Sequence, residues 1–108
     1  MKTIKLMPDY QCWPLWWAEK DQVGNIDPKQ LPLSISTQQA LLRWADTYDK
    51  SLNMEDPASS PPWTAEESAN FEKEGLRLWR VLRKELKDNY RVLYFSQLTH
   101  QLEYPKDS

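Results

Sequence analysis

A chain of 108 residues has room for one hydrophobic core and not for two, so a single domain is expected. Hydrophobic residues at 40% and charged residues at 28% are ordinary for a globular protein and exclude a disordered tail. The formal net charge of -2 gives no global attraction to nucleic acid or anionic lipid, which leaves any electrostatic partnership to local patches.

The longest uncharged apolar stretch, residues 12–18, falls far short of the roughly 20 residues of a membrane-spanning helix. Lysine and Pro8 interrupt the apolar residues at the start of the chain, which does not read as a secretory signal, and a cytoplasmic location is expected. The lone Cys12 excludes an internal disulfide and a multi-thiolate zinc site; a buried structural thiol in a reducing compartment is the expectation.

In chain order, residues 3–7 set Ile4 and Leu6 on one side and Thr3 and Lys5 on the other, the period of a half-buried strand ended by Pro8. Residues 10–18 are aromatic enough for a strand, but Pro14 lacks the amide a central ladder needs, which places them at an edge or in extended chain. Gly24, Pro28 and Pro32 make residues 19–34 read as a loop pinned by Ile26, Leu31 and Leu33. A capping box at Ser36 and Gln39 predicts the first helix, whose Leu41, Trp44, Ala45, Tyr48 and Leu52 share one face.

Three prolines and two serines in residues 53–63 predict an exposed connection between antiparallel helices. A second capping box at Thr64 and Glu67 opens a helix running to about Lys87, with an apolar stripe of Phe71, Leu78, Trp79, Leu82 and Leu86. Its early glutamates and late cations suit the helix macrodipole. Gly75 on that stripe predicts close approach of another element, with Trp44 filling the notch. Residues 90–95 read as a strand covered on both faces, and residues 97–108 as a polar tail.

Catalytic chemistry has no footing in these residues. His100 has no second histidine, cysteine or carboxylate pair at metal-ligand or catalytic spacing, and two glycines cannot build a phosphate loop. Two surface patterns remain. Asp46 and Asp49 lie three apart on the first helix and Glu55 and Asp56 follow, an acidic patch that suits a basic partner as readily as a solvated helix face balanced by Arg43 and Lys50. Lys73, Arg77, Arg80, Lys84 and Lys87 recur along the second helix, but interleaved glutamates favour a solubilising face over a phosphate track. Six tryptophans exceed what the helix-facing core can take, so some of Trp13, Trp16, Trp17 and Trp63 are candidates for interface anchors.

The motif Leu6-Met7-Pro8-Asp9-Tyr10, Cys12 with Pro14, Leu15 and Trp16, and Gly24-Asn25-Ile26-Asp27 with Leu31-Pro32-Leu33-Ser34 resemble a family of small bacterial proteins. Leu42-Arg43-Trp44-Ala45-Asp46-Thr47-Tyr48-Asp49, Leu52-Asn53 and Asp56-Pro57 continue the resemblance, which spans about residues 4–96. The family is similar to immunity proteins of contact-dependent growth inhibition and related toxin systems. The resemblance implies a non-enzymatic cytoplasmic protein, without metal or cofactor, that binds the C-terminal domain of a cognate toxin and blocks its active site or its access to substrate. Such toxin domains are often basic nucleases.

The expected architecture is α+β: two antiparallel helices packed on a small, mostly antiparallel sheet, with residues 1–96 as the domain and 97–108 as the tail. Partner binding is expected at Asp46, Asp49, Glu55, Asp56 and Trp63, with no nucleic acid and no membrane as partner. The alternatives are an interaction protein without a toxin partner and, more remotely, an RNA-binding module using the basic stripe.

Overall fold

The computed structural model describes residues 1–50 and 64–105. Alternation of apolar and polar residues makes β1 (Lys2–Leu6), which buries Ile4 and Leu6 and leaves Thr3 and Lys5 half-exposed. There follow β2 (Leu15–Ala18), β3 (Val23–Ile26), a short 3-10 turn at Pro28–Gln30, α1 (Ile35–Asp49), α2 (Ala65–Glu85), β4 (Tyr90–Ser96) and β5 (Gln101–Glu103). The five strands form one sheet in the order β3-β2-β1-β4-β5. Only the β1–β4 pairing is parallel, so the sheet is mostly antiparallel, as expected.

Both helices cover the same face of this sheet. Their buried residues Leu41, Trp44, Phe71, Leu78 and Leu82 share one cluster with Ile4, Leu6, Leu15, Ile26, Val92 and Tyr94 from the strands. The helices run antiparallel, since Ser34 and Thr37 at the start of α1 meet Glu85 at the end of α2, while Tyr48 near the end of α1 meets Phe71 near the start of α2. The fold is therefore the expected α+β domain.

The second helix starts where its sequence signal says. The Thr64 hydroxyl accepts from the Glu67 amide at 3.1 Å, and the Glu67 carboxylate accepts from the Thr64 amide at 3.0 Å. The first does not. Its cap is Ser34 rather than Ser36, and the Ser34 hydroxyl accepts from the Thr37 amide at 3.2 Å. The carboxylate that a capping box supplies from three residues on comes instead from Glu85, which accepts from the Ser34 amide at 2.8 Å and from the Thr37 hydroxyl. One side chain thus caps α1 and ties it to the last turn of α2. Burial alone pushes the Glu85 carboxyl up, but the hydrogen bonds from Thr37 and Ser34 outweigh it and hold the group below the usual carboxylate range.

Gly75 sits where α2 meets both α1 and the sheet. A Cβ there would collide with the Tyr94 hydroxyl and stand 2.8 Å from the Trp44 ring, so the notch expected for Trp44 is shared with Tyr94. Trp44 stacks on Phe71 at 4.5 Å between centroids and donates its indole N–H to the Phe71 carbonyl at 3.1 Å. The Tyr94 and Ser96 hydroxyls each donate to a different oxygen of Glu72 at 2.7 Å, which satisfies polar groups brought under the helix. Burial first, then the Glu72 carboxylate, raises the Tyr94 phenol well above its usual range.

Several expectations are corrected. Residues 15–18 are not an edge: β2 lies between β1 and β3, because Pro14 precedes the ladder and contributes only its carbonyl, which accepts from the Met7 amide at 2.9 Å. The stretch taken as a loop contains β3, held to β2 by a ladder from Ala18↔Val23 to Leu15↔Ile26. The stretch taken as a polar tail contains β5, paired to β4 through a turn in which exposed His100 has φ 56° and donates its amide to the Ser96 carbonyl at 2.8 Å. β4 buries Val92 and Tyr94 under the helices and Leu93 on its other face, where no described helix lies. Cys12 is half-buried in a surface loop rather than in the core.

Candidate protein-binding surface

The loop from β1 to β2 folds against the outer flank of α1, and three contacts fix it there. Gln11 adopts φ 59°, in the left-handed region uncommon for a non-glycine residue, and donates its amide to the Asp49 carboxylate at 2.8 Å. Tyr10 stacks on Tyr48 with 4.5 Å between ring centroids. Asn25 of β3 clamps the Trp13 backbone from both sides, accepting from its amide at 2.9 Å and donating to its carbonyl at 2.6 Å. Trp13 is thereby held in place while its side chain stays in solvent, 43% exposed.

A surface pocket of about 410 Å³ opens between this loop and α1, with Gln11, Trp13, Asn25, Leu42, Asp46 and Asp49 on its walls. Asp46 is exposed and bridges Lys50 at 2.9 Å; both side chains are largely in water, where such a pair is held weakly and opens readily to a competing cation. Asp49 is half-buried under Gln11. The local field is negative: burial pushes the Cys12 thiol up, and the Asp9 and Asp49 carboxylates push it further. Tyr48, behind the loop, is pushed up to about 12 by burial and then by Tyr10.

Of the residues singled out in the sequence, Asp46 and Asp49 share this pocket, whereas Glu55, Asp56 and Trp63 lie outside the described residues. The surface also includes Asp9, Tyr10 and Gln11, which carry no signal in the sequence, and Trp13, one of the candidate interface anchors. The signal for Trp13 was its surplus among the tryptophans, but nothing local reveals that Asn25 clamps it or that the loop folds onto Asp49.

Within the basic stripe, Arg77 is paired with a carboxylate of its own helix. Arg77 donates twice to Glu74, at 2.7 Å each, which holds the Glu74 carboxyl below its usual range, and the Arg83 guanidinium lies over the Trp79 ring at 5.1 Å. Lys73, Arg80 and Lys84 are exposed along α2, and Lys87 is exposed just past its end. Among the described residues no group of three or more histidine, cysteine or acidic side chains is placed to hold a metal ion, and no helix is long and apolar enough to cross a membrane.

A family model described as Serratia CdiI immunity protein-like matches residues 2–97, and the chain belongs to that family. No curated protein matches the chain. Immunity protein families of this kind are in general not enzymes.

Proposed function

We propose that this member of the CdiI immunity protein-like family neutralises the C-terminal domain of a cognate toxin by binding it through the surface built from the β1–β2 loop and the outer flank of α1. The observation that carries the reading is the arrangement around Trp13: an exposed tryptophan, its backbone clamped by Asn25, beside the carboxylates of Asp46 and Asp49. A tryptophan buries a large area for few rotatable bonds, and aromatic residues dominate the energetics of protein interfaces. Neighbouring carboxylates steer a basic surface into register and speed its approach.

A nuclease is the toxin class that fits, because a protein that grips nucleic acid carries the cations this surface complements. The protein acts by occupation: it covers the substrate-binding surface of the toxin, and no bond is made or broken. Glu55, Asp56 and Trp63 belong to the same proposed interface through their place in the chain between the two helices.

The test is co-expression with the toxin domain encoded immediately upstream, followed by co-purification and calorimetry. Growth protection with nanomolar binding, both lost in Trp13→Ala, is the expected outcome. No binding to that domain would leave an interaction protein without a toxin partner. Nucleic-acid binding lost on reversing Arg77, Arg80 and Lys84 would point instead to the basic stripe.

A further inference from the structure

The sheet has a second face, turned away from both helices, and its side chains can be read from the register. Directly paired residues point to the same side, so Lys5 shares this face with Trp16 and Leu93, Trp16 with Asn25, Thr3 with Arg91, and Phe95 with Leu102. None of these residues belongs to the cluster under the helices. They mix apolar side chains with polar ones. Leu93 is only 5% exposed and pairs with Lys5 of β1. At the margin Leu102 and Tyr104 are 36% and 56% exposed, and the Arg91 guanidinium lies 5.6 Å from the Tyr104 ring centroid. Trp16, Phe95 and Lys5 are half-buried, so the face offers aromatic area beside its cations.

Charge says what would cover it. Lys5 and Arg91 are the charged side chains that the strands set on this face, and both are cationic. The one strand carboxylate, Glu103, pairs with Tyr94 and so points to the helix side. A second copy stacked face to face would set Lys5 and Arg91 against their own equivalents and leave the cations uncompensated. Single-stranded RNA is disfavoured as well, since two cations are too few to track a phosphate backbone. What fits is a protein segment that combines apolar or aromatic side chains with carboxylates.

We propose that the open face of the sheet, centred on Lys5, Trp16, Phe95 and Arg91, is a second docking surface for an acidic, apolar protein segment. Its polarity is opposite to that of the Asp46 and Asp49 surface, so the two faces select different partners, and the inference stands whether or not the toxin is bound as proposed. The chain can then hold an acidic partner segment and a basic domain together.

The experiment is selection of a random phage-displayed peptide library on the full-length protein. Enriched peptides are expected to combine Asp or Glu with Phe, Trp or Leu. Their affinity should fall about tenfold or more in the Lys5→Glu/Arg91→Glu double variant, as loss of a matched charge pair at an interface does. On the wild-type protein they should shift the amide resonances of residues 3, 5, 16, 93, 95 and 102, a readout that holds even if the double variant misfolds. Enrichment lacking acidic and apolar peptides, or binding indifferent to the variants and mapping elsewhere, overturns the proposal. So does binding of an oligouridylate that the same variants abolish, which assigns the face to RNA. A concentration-dependent dimer lost in Arg91→Glu also overturns it, because the face then belongs to a second copy.

Discussion

One fifteen-residue helix serves two regions that obey different physics. The inner side of α1 presents Leu41, Trp44 and Ala45, all buried, and packs Trp44 into the notch at Gly75. The outer side presents Leu42, Asp46 and Asp49 to a loop whose Trp13 is held open to solvent. Packing and satisfied hydrogen bonds carry the first region; exposed charge and an exposed aromatic on a clamped backbone carry the second. Stability and recognition are separable in this protein, because they depend on different, adjoining faces of the same helix.

Truncating the inner side breaks the comparison most strongly. Trp44→Ala removes a buried ring, its stacking on Phe71 and its hydrogen bond, and is expected to cost about 3–5 kcal/mol in chemical denaturation. Gly75→Ala comes next. The added methyl meets the Tyr94 hydroxyl and the Trp44 ring, and overpacking of about 1–3 kcal/mol outweighs the gain of about 1 kcal/mol in helix propensity. Combining it with Tyr94→Phe, which deletes the atom it strikes, should recover part of the loss; strict additivity of the two changes would contradict the proposed collision.

Glu85→Gln is expected to cost about 1–2 kcal/mol near neutral pH, since it weakens the cap of α1 and its tie to α2. The pH dependence follows from the direction of the shift. The folded carboxyl is held below its unfolded value, so its contribution is complete above the ordinary carboxylate value of 4.5 and fades as pH falls through the folded value. Denaturation midpoints of wild type and Glu85→Gln should therefore converge in acid. The smallest effect on stability belongs to the outer side: Asp46→Lys replaces an exposed group in a weak surface pair and should stay within about 0.5 kcal/mol of wild type.

The sequence carried the fold best where one element contains its own signal. Thr64 and Glu67 cap α2 within a single turn, Ile4 and Leu6 alternate, and Gly75 interrupts an apolar stripe for a visible reason. It was silent where the partner lies far along the chain. Ser34 caps α1 with help from Glu85, 51 residues away, so the local pattern at Ser36 was the more persuasive and the wrong one. β3 and β5 have four and three residues, with Gly24 or polar side chains in them, and they exist because β2 and β4 offer open ladders. The candidate surface was half legible for the same reason. Asp46 and Asp49 follow from helical spacing, but the loop that completes the pocket is placed by Asp49 across 38 residues and by Asn25.

The most direct test of the account is calorimetric titration of the upstream-encoded toxin domain into wild type and the Asp46→Lys/Asp49→Asn variant, at low and high salt. Asn at position 49 keeps an acceptor for the Gln11 amide, so the loop retains its anchor while the charge is lost. The account predicts that the folded variant binds at least about tenfold more weakly at low salt and that the gap narrows as salt rises. Equal affinity of the two proteins at both salt concentrations, with the variant's stability unchanged, would contradict it.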